Sequence, residues 1–290
     1  MPIDYQAALA VKDTGRRSSY GDTQAMLYAL SIGMGRDPYD PRELPFVFEG
    51  GELRVVPTMA AVMARNNVIG PLGINLPLML HGEQRMTLHR PLPPAASIVS
   101  DARVVEVLDK GAGKGALIYA ETVIRLEGEQ DPLVTIGQTL FARGDGGFGG
   151  PPGPTPEVHA IPDRAPDHRH ISETRLDQAL LYRLNGDRNP LHADPELAKK
   201  AGFKAPILHG LCSYAIACRA ILASVCDYDP ARIASFDVRF TSPVYPGETI
   251  TTEIWVDGEV VSFRCLVEER GVVSINNGKC VLGNRAHFPS

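Results

Sequence analysis

One stretch limits what this chain can become more than any other. From Gly144 to Val158 the sequence reads GDGGFGGPPGPTPEV, and ten of these fifteen residues are glycine or proline. Such a run cannot sustain a helix or a central strand, because ordering glycine is entropically costly and proline lacks an amide donor. It lies close to the midpoint of 290 residues. About 150 residues is typical of one domain, so two units near that size are expected, each large enough to bury a core. The polar segment HAIPDRAPDHRH prolongs the break. The expected division is an N-terminal unit over 1–143, a linker over 144–170 and a C-terminal unit over 171–290.

The two units carry the same order of signals. Tyr20–Ile32 and Glu173–Leu184 both space their apolar residues as a short helix does. Each is followed by an irregular, glycine-containing segment that ends near a proline, at RDP (36–38) and RNP (188–190). A second helix candidate then follows, short at Pro57–Ala64 and long at His209–Leu222. The long one is apolar on nearly every side, so it should be enclosed rather than laid on a surface. Strand patterns come next, at Glu83–His89, Ala96–Leu108, Gly115–Glu127 and Leu133–Arg143, and again at Ala234–Thr241, Thr249–Val256, Val260–Glu268 and Val272–Leu282. At an offset of 152 residues Pro38 meets Pro190, Pro91 meets Pro243, Pro94 meets Pro246 and Ile98 meets Ile250. The reading is a duplicated α+β unit, each an antiparallel sheet coiled around a helix.

Composition narrows the function classes. With 29 basic against 34 acidic side chains the net charge is −5, which suits a cytoplasmic protein and disfavours a nucleic-acid partner. The basic residues are scattered without interleaved aromatics. Cys212, Cys218, Cys226, Cys265 and Cys280 are odd in number and lack C-x2-C spacing, so reduced thiols are expected rather than disulfides or zinc. No run approaches the ~18 apolar residues of a membrane span. The N-terminal residues lack a secretory pattern, and His287–Ser290 is not a peroxisomal S-K-L signal. There is no dinucleotide fingerprint, P-loop or G-x-S-x-G elbow. GAGKG (111–115) reads as a hairpin loop between two strands, and His168-x-His170 as surface polarity without a third metal ligand.

Chemistry concentrates in Tyr182–His192, YRLNGDRNPLH. Asp187 and His192 are five apart, which on a helix puts them about 140° apart. Gly186 and Pro190 favour a tight loop instead, one that can turn both side chains toward a small volume. An acid and a histidine so placed form a general acid/base pair. The spacing fits equally an Asp that caps a turn and a His that bonds to backbone. Downstream, Asp194-Pro195-Glu196 should cap a short helix that ends at Gly202. Gly210, at the start of the long helix, either offers its N–H to a developing oxyanion or permits tight packing there.

The segment YRLNGDRNPLHADPELAKKAGFKAPILHG resembles the signature of the MaoC-like, (R)-specific enoyl-CoA hydratases, the hydratase-2 family. In the first half YALSIG (28–33), VVPTMAAV (55–62) and HGEQ (81–84) are similar to the N-terminal repeat of its double hot-dog members. The resemblance implies a double hot-dog fold, with a long central helix in each half wrapped by antiparallel sheet. It implies Asp187 and His192 as a catalytic dyad, Asn189 ordering their loop, and Gly210 as backbone donor to a thioester carbonyl. The substrate would be an acyl-CoA thioester, with no metal or cofactor required. The two repeats would form an internal pseudo-dimer, with a homodimer of chains possible. The first half departs from the pattern: GMGRDPYD (33–40) stands where the second has GDRNPLH, and the offset sets Asp40 against His192. That half is expected to be inactive and to shape the acyl pocket. A hot-dog thioesterase, a dehydratase of another hydroxyacyl thioester and a non-catalytic acyl-CoA-binding module are the alternatives.

Overall fold

The computed structural model describes residues 3–64 and 66–283. Ten strands form one sheet in the order β1-β3-β4-β5-β2-β7-β10-β9-β8-β6. The first half supplies β1 (Lys12–Tyr20), β2 (Met79–Leu88), β3 (Ala96–Asp109), β4 (Ala116–Leu126) and β5 (Val134–Ala142). The second supplies β6 (His168–Glu173), β7 (Ile233–Phe240), β8 (Thr249–Asp257), β9 (Val260–Val267) and β10 (Val272–Leu282). The two sequences of strands mirror each other across one seam. There β2 and β7 pair antiparallel, with Glu83 opposite Arg239, Gln84 opposite Val238 and Thr87 opposite Ser235.

The eight interior strands lie where the apolar patterns put them. The two edge strands differ from expectation. β1 (KDTGRRSSY) is mostly exposed and carries no alternation, and β6 occupies residues assigned above to the linker and to a helix. β1 bends at Gly15, which has φ +68°, where its register on β3 slips between Asp13 and Arg16. A residue with a Cβ would be strained there.

The helices are α1 (Tyr5–Leu9), α2 (Asp22–Ser31), α3 (Ala60–Met63), α4 (Gln178–Tyr182), α5 (Pro195–Lys200) and α6 (Gly210–Ser224). Two corrections follow. The helix expected over Glu173–Leu184 shrinks to α4 because Glu173 is still paired in β6, opposite Thr249. Among the described residues a long central helix is found only in the second half: its first-half counterpart is a 3₁₀ turn at Pro57–Met59 running into the four residues of α3.

Helix α6 is enclosed, as its all-round apolar surface requires. Cys212, Tyr214, Ala215, Ile216, Ala217, Cys218, Ala220, Ile221 and Leu222 are all buried. The Tyr214 hydroxyl is satisfied by the Phe236 carbonyl at 2.8 Å. Arg219 breaks the apolar pattern and is answered from the first half, its guanidinium lying 2.6 Å from the buried Glu43 carboxylate. The main core spans both halves, and all five cysteines lie buried as free thiols. A second cluster, including Ile3, Ala8, Val104, Val107 and Ile118, lies between α1 and the first-half sheet.

The glycine-rich segment is tied down along its length. Asp109 accepts the amides of Gly147 and Gly149, both at 2.7 Å, and of Gly111 at 2.8 Å. Further on, His159 lies 2.7 Å from the Ser262 hydroxyl, and the Trp255 indole donates to the Arg164 carbonyl at 2.8 Å. No helix among the described residues is long and apolar enough to cross a membrane. His287–Ser290 lies outside the described residues.

Candidate active site

The loop at the centre of the sequence reading is held from both sides. α4 docks on the first half: the Gln178 amide donates to the Ser31 carbonyl, and Asn185 donates to the Ser31 hydroxyl at 2.8 Å. The chain then passes through Gly186, whose φ of +120° turns it abruptly into Asp187. An Asp187 carboxylate oxygen accepts the Asn189 amide at 3.1 Å, and the Asn189 side-chain oxygen accepts the Leu191 amide at 3.0 Å. These are two consecutive Asx turns, which fix the backbone without a helix. A 3₁₀ turn at Pro190–His192 follows, and Asp194 caps α5 by accepting the amides of Glu196 and Leu197.

This folding brings Asp187 and His192 together and adds a third group, His209. One ligating atom from each lies within 4.8 Å of the other two. His192 is buried, and its Nδ1–H donates to the Ile207 carbonyl at 2.8 Å. Because a carbonyl only accepts, the other ring nitrogen of the neutral imidazole is left bare. His209, the residue before α6, donates from Nε2 to the Asp187 carbonyl at 3.3 Å. Its ring stacks on His192 with centroids 3.7 Å apart and planes at 27°. The Tyr182 ring lies 5.0 Å from that of His209.

Burial lowers the pKa of His192; the Ile207 hydrogen bond and the Asp187 charge oppose this, while Arg183 reinforces it. His209 is pushed down to about 4, by burial first and by His192 second. Both rings are therefore neutral near pH 7. Asp187, His192 and His209 are the trio among the described residues that could hold a metal ion. Each ring already commits one nitrogen to backbone, His192 Nδ1 to Ile207 and His209 Nε2 to Asp187, which leaves one nitrogen on each for a ligand.

Gly210 opens α6, whose first amides lack intrahelical partners and carry partial positive charge. A Cβ at this position would lie 3.3 Å from the Phe240 ring. His81 of β2 packs edge-on against the same ring, with centroids 5.0 Å apart. Burial holds His81 down at about 4, although the Asp187 charge pulls the other way. The first half thus reaches the site through His81. An apolar cavity lined by Val55, Pro57, Leu88, Leu92 and Ile233 lies elsewhere. Leu88 is about 23 Å along β2 from His81, so this cavity cannot hold atoms reacting at Asp187.

The equivalent loop of the first half has no such pair. Asp40 forms an ion pair with Arg42 at 2.7 Å, and Met34 is buried. Glu43 accepts the Gly35 amide at 2.7 Å as well as pairing with Arg219.

Of the residues singled out in the sequence, the structure brings Asp187 and His192 together, keeps Asn189 in their loop and sets Gly210 next to His209; His209, His81 and Arg183 were not singled out as site residues. His209 was in view only as the neighbour of a glycine. His81 stands more than a hundred residues from Asp187, beyond the reach of any local spacing rule.

Comparison with known proteins agrees with this architecture. Residues 18–144 match the MFE-2 hydratase 2 N-terminal domain, and residues 157–277 match the MaoC like domain. The enoyl-CoA hydratase ChsH3 of Mycobacterium tuberculosis is 41% identical over 267 residues, covering 89% of this chain and 91% of that protein. The chain belongs to the MaoC-like hydratase family. A crystal structure of a MaoC-like dehydratase from Phytophthora capsici superposes with a TM-score of 0.85 at 33% identity, covering 99% of this chain and 100% of that one. The MaoC-like fold here is the double hot-dog arrangement, α+β, with its internal pseudo-dimer. Another relative, from Arabidopsis thaliana, is named enoyl-CoA hydratase 2, peroxisomal; it is 39% identical over 282 residues, covering 90% of each chain. That finding overturns the cytoplasmic location expected from composition. Acidic net charge and unpaired thiols do not distinguish the cytoplasm from an organelle matrix.

Proposed function

We propose that this protein hydrates trans-2-enoyl-CoA thioesters reversibly, giving (3R)-3-hydroxyacyl-CoA, with Asp187 and His192 as the catalytic dyad. The observation that carries the reading is the convergence of an acid and a bare imidazole nitrogen beside the start of α6. Hydratase and dehydratase activity on enoyl and hydroxyacyl thioesters is what similarity to the named relatives supports.

In this mechanism water is held between the Asp187 carboxylate and His192. The imidazole accepts one proton as the water oxygen bonds to C3 and the C2–C3 π electrons move toward the thioester oxygen. The Gly210 N–H and the helix terminus meet that developing charge. The dyad then returns a proton to C2 on the same face, so atoms and charge balance without metal or redox chemistry. A backbone donor of this kind is worth about 3 kcal/mol to a transition state. Asn189 shapes the loop through its turn and touches no reacting atom. The N-terminal half is non-catalytic in this reading and bounds the acyl side of the pocket, with the four residues of α3 standing where the second half has a long helix.

The test is a steady-state assay with crotonyl-CoA and a longer enoyl-CoA, followed by chiral analysis of the product. D187N and H192Q should each abolish hydration while melting near the wild-type temperature. Undiminished turnover in either variant would sink the dyad. Release of free thiol without loss of the enoyl absorbance would point to a thioesterase, and an (S) product would remove the stereochemical assignment.

A further inference from the structure

His209 is placed unlike an ordinary core histidine. It is 1% exposed, and its Nδ1 is buried without a hydrogen-bond partner among the described residues. A buried polar atom left unpaired is destabilising, so an apolar ring would serve a purely packing role better. What the imidazole provides is a flat face on one side and an N–H on the other. The face covers His192, and the N–H reaches the backbone of Asp187.

We propose that His209 is a positioning residue: its ring clamps the plane of His192, and its N–H ties the Asp187 turn to the start of α6. One residue then sets the relation between three parts of the site, since Gly210 follows it directly in the chain. The proposal rests on the dyad reading above and adds to it a group that touches no substrate.

Two consequences separate this role from simple packing. The first concerns rate. Misplacing reacting groups by about 1 Å can cost 10²-fold in turnover, whereas His209, at 1% exposure, has almost no surface to offer a substrate. Loss of the clamp therefore lowers kcat and leaves KM nearly unchanged. The second concerns pH. His192 is faced by Asp187 and Arg183 from its own loop region and by His209 from the residue before α6, while His81 faces Asp187 from β2. Burial is the largest cause of the depressed His192 pKa, and the stacked ring contributes to that burial. Removing the ring admits water, which relieves the penalty on the imidazolium and raises the pKa. The acid limb of kcat/KM then moves to higher pH.

The experiment compares wild type, H209F, H209A and H192Q in full pH profiles with crotonyl-CoA. H209F keeps the stack and should retain the position of the acid limb, with a moderate loss of kcat from the missing N–H. H209A loses both contacts and should fall about 100-fold in kcat, with KM within about twofold and the limb moved up in pH. Should H209A fail to fold, H209Q takes its place, an amide donor without the ring, and the same limb shift is required of it. Equal losses in H209F and H209A with an unmoved limb would reduce His209 to structural support and overturn the proposal. Wild-type kinetics in H209A would overturn it too. If wild type is inactive, or H192Q is active, the dyad reading itself fails; if those two behave as expected, only the His209 proposal is at stake.

Discussion

Burial holds the His192 imidazole below its ordinary pKa against the pull of Asp187 and the Ile207 carbonyl. In the proposed mechanism His192 is the general base, which works only while unprotonated, so activity is expected to be lost as pH falls through that lowered value. The acid limb of kcat/KM should therefore lie below the ordinary ~6.5, and a profile already half lost at pH 7 would contradict a buried, neutral His192. Gly210 supports a second expectation at this scale. Alanine there would set its methyl 3.3 Å from the Phe240 ring, so either the ring or the helix start must give. G210A should lose about 10²-fold in kcat through displacement of the donor, and adding F240L should return part of it. Unchanged kcat in G210A would argue that the start of α6 takes no part in the chemistry.

Among the elements, α6 shows how an apolar helix accommodates one charge. Arg219 is nearly enclosed, and the Glu43 carboxylate that answers it is 2% exposed. Breaking such a pair strands the other charge, at a cost of about 3–5 kcal/mol. E43A should therefore destabilise by about that amount, read from urea melts followed by tryptophan fluorescence, whereas the exposed Arg17–Glu127 pair should contribute almost nothing when E127A removes it. The eight interior strands were legible because each has at least one face on the core and shows it as apolar spacing. β1 and β6 close the sheet at its rims, expose most of their side chains and so leave no pattern to read. α4 was read as too long because helical spacing runs back through Glu173, and spacing cannot report that the residue is claimed by a neighbouring strand. In the site, Asp187, Asn189 and His192 were legible because one short loop carries them. The stacking of His209 depends on where α6 begins relative to that loop, which only the tertiary structure fixes.

For the molecule as a whole, acid should be destabilising well before the carboxylates titrate. His81, His170 and His209 are each pushed down to about 4, chiefly by burial. The unfolded chain protonates them near ~6.5, so it binds more protons than the folded chain throughout that interval. Their contribution is complete above about pH 6.5 and is lost as pH falls through about 4. Urea midpoints measured at pH 7.5, 5.5 and 4.5 should fall in that order, and a flat series would exclude these histidines as the cause. Asp109 acts at the scale of the joined halves: D109N replaces an acceptor of three amides with a group that cannot serve them all. Hydrogen exchange should then quicken over Gly144–Gly150, with the sheet unaffected. The seam between β2 and β7 has a further bearing on how the molecule is made. β2 is complete at residue 88 and pairs on one side with β5, yet its partner across the seam begins at residue 233 and the helix that fills the core at residue 210. At about 5–20 residues per second, the ribosome leaves that strand edge open for roughly 7–30 s. During this interval the unpaired edge of the nascent first half is open to pairing with another nascent chain. Slowing translation should therefore lower the soluble yield unless a chaperone shields the waiting edge.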